Sequence, residues 1–153
     1  MPSRRAAIEM TDPELHRFLQ DEKIVTVATI GPNGRPHLMP LWFVADGSVV
    51  SAWTFGKSQK VKNLERRPQA TLQVEAGEEY QELRGAMLEC DVEIIRDTDK
   101  VAAIGAAVTR RYTGAPEGEV PEMVRQQAPK RVGLVFRPTR VSSWDHRKLG
   151  GRY

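Results

Sequence analysis

The sequence predicts a mainly β fold, an antiparallel barrel with flanking helices. Three observations carry that prediction. Residues 24–30 (IVTVATI) are an unbroken run of β-branched and small residues, long enough only for a strand. Residues 36–44 and 48–54 follow as two further strand-like runs, and the connections between the three, Gly31-Pro32-Asn33-Gly34 and Asp46-Gly47, carry tight-turn chemistry. Strands joined by such short turns pair antiparallel, because a parallel crossover needs a dozen residues or more.

The elements follow in order. Thr11-Asp12-Pro13-Glu14 is a capping box with proline in the first turn, so residues 13–21 form a helix with Leu15, Phe18 and Leu19 as its apolar stripe. In the returning strand 36–44, Leu38, Pro40, Trp42 and Val44 share one face, and His37, Met39, Leu41 and Phe43 share the other. Residues 49–53 and 70–74 have the content of buried strands and flank a basic segment, 56–67, a loop or short helix that Pro68 stops. Gly77-Glu78-Glu79-Tyr80 is a solvated turn before a long strand over 81–95. Asp97 caps a helix running to Tyr112, with Val101, Ile104, Ala107 and Val108 inward. Residues 113–119 are a loop and 121–127 a short amphipathic helix. The last strands are 131–136 and 140–144, with Pro138 forcing a bend or bulge between them. One domain over 1–153 is expected, with tails at 1–10 and 145–153, and neither repeats nor a linker divide it.

The net charge of +3 is small but polarised. Segment 56–67 sets Lys57, Lys60, Lys62, Arg66 and Arg67 against Glu65 alone; residues 130–153 are also strongly basic, and 75–99 are acidic. Such polarity suits an anionic ligand on one face. The basic residues do not alternate with aromatics, so no nucleic-acid partner is expected. No apolar run could span a membrane, the first ten residues lack the apolar core of a secretory signal, and the single Cys90 excludes an internal disulfide. A cytoplasmic protein is expected.

The usual catalytic motifs are missing: GxGxxG, P-loop, CxxC and HExxH are all absent. His16, His37 and His146 have no ligand spacing, so no metal is expected. Ser142, Ser143, Asp145 and His146 crowd within five residues without a nucleophile elbow. A missing acid–base set points to chemistry carried by a cofactor. Lys57 and Lys60 can neutralise a phosphate, with Ser58 and Thr54 donating hydrogen bonds to it. Asn63 either does the same or caps the loop. Trp53 and Trp42 either border a planar ring or pack in the core, and the competing reading of the whole segment is a solvated basic face.

The spacing Ser58-x-Lys60-x-x-Asn63-Leu64, directly after a strand carrying Trp53, resembles the phosphate-binding segment of the pyridoxamine-phosphate-oxidase-like, FMN-binding split-barrel superfamily. Its flavin/deazaflavin oxidoreductase branch is the most similar. VTVATIGPNGRPHLMP (25–40) is similar to the opening hairpin, YQELRGAMLECDVEII (80–95) to the strand after the phosphate-binding pair, and RPTRVSSWDHRK (137–148) to the ending of small actinobacterial members. The resemblance implies a six- or seven-stranded split barrel. It implies a cofactor ring against Met39-Pro40-Leu41-Trp42, a phosphate over Lys57, Ser58 and Lys60, and a homodimer with the site at its interface. Trp144, with His146, Arg147 and Lys148, would be the second protomer's contribution, or else a C-terminal clamp.

The function implied is that of an oxidoreductase using coenzyme F420, whose ring, phosphodiester and glutamate tail suit two basic segments, to move a hydride to a small organic acceptor. FMN is the alternative cofactor, and a non-catalytic flavin, deazaflavin or haem carrier is the alternative class.

Overall fold

A computed structural model describes residues 2–151; Met1, Arg152 and Tyr153 lie outside the described part. A short helix α1 (Arg4–Ile8) leads into α2 (Asp12–Asp21), whose Thr11 box forms as expected: Thr11 N–H donates to Glu14 Oε1 (3.1 Å) and Glu14 N–H to Thr11 Oγ1 (3.3 Å). Strands β1 (Ile24–Ile30), β2 (Pro36–Trp42), β3 (Val44–Asp46) and β4 (Val49–Phe55) come next, then α3 (Gln59–Arg66). Strands β5 (Gln69–Ala76) and β6 (Arg84–Ile95) precede α4 (Thr98–Thr113) and α5 (Glu122–Gln127), and β7 (Arg131–Asp145) closes the fold.

All seven strands pair antiparallel in one sheet, in the order β2-β1-β5-β6-β7-β4-β3. Its two edge strands, β2 and β3, are separated in sequence by Phe43 alone. The chain therefore turns from one edge to the other within a residue, which curls the sheet into a split barrel. Period-two alternation fills the interior: Val25 and Val27 of β1, Leu72 and Val74 of β5, and Ala86 and Leu88 of β6 are all essentially fully buried. Phe18, Leu19, Phe43 and Phe136 complete the core.

Residues 36–44 are thus not one strand. The break at Phe43 is enforced from α4. Arg111 donates to the carbonyls of Phe43 (2.6 Å), Leu19 (2.8 Å), Gln20 (2.7 Å) and Glu22, while the Tyr112 hydroxyl accepts the Phe43 N–H (3.2 Å) and donates to Lys23 O. One guanidinium thereby caps the end of α2 and pins the barrel corner, and burial lowers its pKa.

Two more boundaries differ. Tyr80–Glu82 form a 3₁₀ turn, so the strand expected from 81 begins at Arg84. The two expected final strands are one, β7, carrying a bulge: Glu89 faces Arg140 and Cys90 faces Pro138, leaving Thr139 as the extra residue. Pro138 has no N–H to give the ladder, so the bulge falls beside it. Asp97 caps α4 as expected, accepting from Lys100 N–H (3.0 Å).

The described parts of the expected tails hold structure and grip each other. Met10 N–H donates to Ser143 Oγ (3.0 Å), and Lys148 Nζ reaches Glu14 Oε1 (2.7 Å) and Glu9 O (2.8 Å). Asp145, 3% exposed, accepts from the Arg147 backbone and guanidinium (2.7–3.0 Å), which holds its carboxyl below the usual range. Cys90 is buried and its thiol is pushed up to about 12, an inert packing residue.

Candidate functional site

Strand β4 pairs with the start of β7, setting Phe55 opposite Arg131 and Trp53 opposite Gly133. The turn after β4 is fixed to that neighbour: Gly56 N–H donates to Lys130 O (3.0 Å) and Ser58 N–H to Phe55 O (3.1 Å). Pairing between strands distant in sequence thus brings Lys130 and Arg131 beside Lys57 and Ser58. Together with Phe55 and Arg96 they line a cavity of about 810 Å³. No carboxylate of the described residues lines it. Another hollow, of about 380 Å³, lies around the β-bulge and mixes Arg67 with Glu89 and Asp91.

Ser58 is the N-cap residue of α3, yet its side chain makes no capping bond, and its buried Oγ has no hydrogen-bond partner among the described residues. The first N–H groups of α3 and an unsatisfied hydroxyl therefore meet where the cations converge. A helix start with such partners is a ready anion site, and a buried unpaired hydroxyl is rare unless a ligand or water meets it.

Lys60 lies behind this turn. It is 6% exposed, and its Nζ donates to Thr54 Oγ1 (2.9 Å). Among the described residues no carboxylate pairs with Lys57, Lys60, Lys130 or Arg131; Arg96 pairs with Glu65 (3.0 Å). Burial, then the charge of Arg131, lowers the pKa of Lys60. Arg131 lies over the rings of Trp53 (4.4 Å) and Phe55 (4.2 Å), its Nε donates to Gln127 Oε1 (3.0 Å), and burial lowers its pKa too.

Of the residues singled out from the sequence, Lys57 and Ser58 line the cavity, with Lys60 and Thr54 joined behind it. Asn63 is fully buried and neither caps the turn nor faces the cavity. Its Nδ2 donates to Thr29 Oγ1 (3.0 Å) and its Oδ1 accepts from Gln59 (2.8 Å), fastening α3 to β1. Trp53 packs under α4, where a Cβ on Gly105 would fall 2.6 Å from its ring. Met39, Pro40, Leu41 and Trp42 lie on the edge strand β2 and do not line the cavity; Met39 and Trp42 are 43% and 53% exposed. Trp42 stacks on Tyr112 at 4.3 Å, almost parallel, with the indole half-exposed. Trp144 covers Gly85 at the far end of β7, roughly 40 Å along the strand from Arg131 at about 3.3 Å per residue.

Arg96, Lys130 and Arg131 were not singled out as site residues from the sequence. The signal lay in the Lys130-Arg131 pair just before the last strand, but only the β4–β7 register shows which turn it faces.

The family model for pyridoxamine 5'-phosphate oxidase matches residues 11–145. Among solved structures, the conserved hypothetical protein Rv2991 of Mycobacterium tuberculosis is 38% identical, covering 99% of this chain and 95% of its own, with a TM-score of 0.90. A structure named F420 reductase is 27% identical over 83% of this chain and 94% of its own, with a TM-score of 0.66. HutZ of Vibrio cholerae, described as a haem storage protein, shares the fold at 18% identity, covering 84% of this chain and 91% of its own, with a TM-score of 0.66. No curated protein matches.

Proposed function

The chain belongs to the pyridoxamine 5'-phosphate oxidase family, and on that premise we propose that it is a homodimeric oxidoreductase using coenzyme F420 to reduce a small organic acceptor. The observation that carries the reading is the Ser58 hydroxyl, without a hydrogen-bond partner among the described residues, at the start of α3 beside Lys57, Lys130 and Arg131, which have no carboxylate partner there. These residues fit a phosphate-bearing cofactor. The 27% identity to a protein named F420 reductase favours the deazaflavin.

When bound, the reduced deazaflavin supplies the hydride. The chain's own residues bind and orient. Lys57, Ser58 and the first N–H groups of α3 hold the phosphate, with Lys60 as the cation behind it and Thr54 fixing its ammonium. The edge strand from Met39 to Trp42 offers exposed apolar side chains against which the ring lies, with Trp42 steadied by Tyr112. Positioning of this kind converts a bimolecular hydride transfer into one between held partners.

A second copy of the chain completes the site. The outward row Pro40, Thr26, Gln73, Met87 and Ser142 crosses the sheet without a charge, a surface suited to an isologous contact. Trp144 packs on Gly85 at the far end of β7, where it either contributes to the partner's site or belongs to the C-terminal clamp. An FMN enzyme of the same fold would use Lys57 and Lys60 in the same way. Separate titrations with coenzyme F420 and FMN, followed by absorbance, distinguish the two; tighter binding of FMN overturns the deazaflavin reading.

A further inference from the structure

Among the described residues, three buried side-chain polar atoms have no hydrogen-bond partner: Ser58 Oγ at the phosphate turn, Arg110 Nε on α4 and His37 Nδ1 on β2. Groups of this kind are rare unless a ligand or water meets them. Two of the three stand at the ends of one hydrogen-bonded row. Gln59, next to Ser58, donates to Asn63 Oδ1 (2.8 Å), and Asn63 Nδ2 donates to Thr29 Oγ1 (3.0 Å). Thr29 in turn faces His37 across the β1–β2 ladder. The row therefore runs from the phosphate turn to the strand against which the cofactor ring is placed.

His37 is the only titratable side chain of β2. It shares the inner row of that strand with Met39 and Leu41, opposite Thr29, Val27 and Val25, which are buried. Met39, 43% exposed, is the next residue on the row, about 7 Å along the strand at about 3.3 Å per residue. The His37 imidazole is half-buried and makes no hydrogen bond, ion pair or ring contact with the described residues. Its Nδ1 is sealed from solvent and its Nε2 is not. The Thr29 hydroxyl accepts from Asn63 and gives its own proton to no described group. A lone pair on Nδ1 matches that uncommitted proton, which puts the imidazole proton on Nε2. A planar ring laid over Met39 takes the adjacent Nε2–H out of water as well, and a buried donor without an acceptor is unfavourable. The acceptor then has to come from the ligand.

We propose that His37 is a specificity-determining residue that donates, through Nε2, to a carbonyl oxygen on the polar edge of the cofactor's ring. The assignment rests on a cofactor ring lying against β2. That edge, carbonyl oxygens flanking an N–H, is common to coenzyme F420 and FMN, so the contact does not depend on which of them is bound.

Full-length wild type, His37→Phe and His37→Gln are titrated with coenzyme F420 and with FMN, followed by absorbance to saturation. His37→Phe should lower the affinity for both about tenfold, the loss of one hydrogen bond at a site that burial has dried. It should also shift the absorption band of the bound ring, which responds to hydrogen bonding at the carbonyls. His37→Gln, which keeps an N–H donor, should recover most of the affinity. Should His37→Phe fail to fold, His37→Met takes its place. Unchanged affinity and an unchanged band in the apolar variant overturn the proposal and leave Nδ1 to water. Weaker binding with an unchanged band overturns it as well, since a purely structural role moves affinity alone. Wild type that binds FMN and not coenzyme F420, with the His37 effect present, overturns the deazaflavin reading and supports the ring contact. Wild type that binds neither overturns both.

Discussion

Replacing Lys60 by methionine separates a ligand-binding cation from a structural one. Lys60 is 6% exposed and, among the described residues, is bonded only to Thr54 Oγ1 (2.9 Å) and has no carboxylate partner. An ammonium so placed costs the free protein of order several kcal/mol in lost hydration, against about 1 kcal/mol recovered from the hydrogen bond. Methionine keeps the unbranched stem and removes the charge. Lys60→Met should therefore leave the free protein as stable as wild type, or more stable by about 1 kcal/mol, by urea unfolding. It should at the same time weaken coenzyme F420 binding about ten- to a hundredfold, the loss of one charge-assisted contact. The difference has a pH signature. The Lys60 pKa is lowered on folding, so the unfolded chain binds more protons between the folded value and the ordinary value of 10.5. Wild-type stability should thus rise relative to Lys60→Met as pH climbs through that window and fall back as pH drops below it. A variant destabilised by more than about 2 kcal/mol with unchanged cofactor affinity would refute the reasoning and return Lys60 to a purely structural role.

Lys57→Ala, at an exposed position, should change stability by less than about 0.5 kcal/mol while lowering cofactor affinity about tenfold or more, checked by thermal melting beside a binding titration. Gly105→Ala should lower stability by about 1–3 kcal/mol, because the added methyl meets the Trp53 ring at 2.6 Å, and should shift the tryptophan emission as the indole is displaced. Asp145→Asn should cost about 1–3 kcal/mol through its buried contacts with Arg147. The Asp145 pKa is depressed on folding, so its contribution is fully present above the unfolded value of about 3.8 and is lost as pH falls through the lower folded value; the gap between wild type and variant should close in that acid window. Light scattering at micromolar concentration should give a dimer, and a monomer that binds the cofactor normally would contradict the shared site.

Local chemistry was legible in the sequence and long-range pairing was not. The Thr11 box, the Asp97 cap, the Gly31–Gly34 and Asp46-Gly47 turns and the strands at 24–30 and 70–74 each follow from neighbouring residues, and each stands in the structure. The break at Phe43 depends on Arg111 and Tyr112, distant in sequence, and no local propensity announces it. The same holds for the site. Spacing and family resemblance single out Lys57 and Ser58, and both line the cavity. The convergence of Lys130, Arg131 and Arg96 on them requires the β4–β7 register, and the bond from Asn63 to Thr29 likewise joins residues on distant elements.

The most direct test is an equilibrium titration of the purified protein with coenzyme F420 and with FMN, followed by absorbance at low and at high salt. Coenzyme F420 should bind more tightly at low salt, and the gap should narrow as salt screens the exposed cations. FMN that co-purifies with the protein, or that binds more tightly than coenzyme F420 at low salt, would contradict the account.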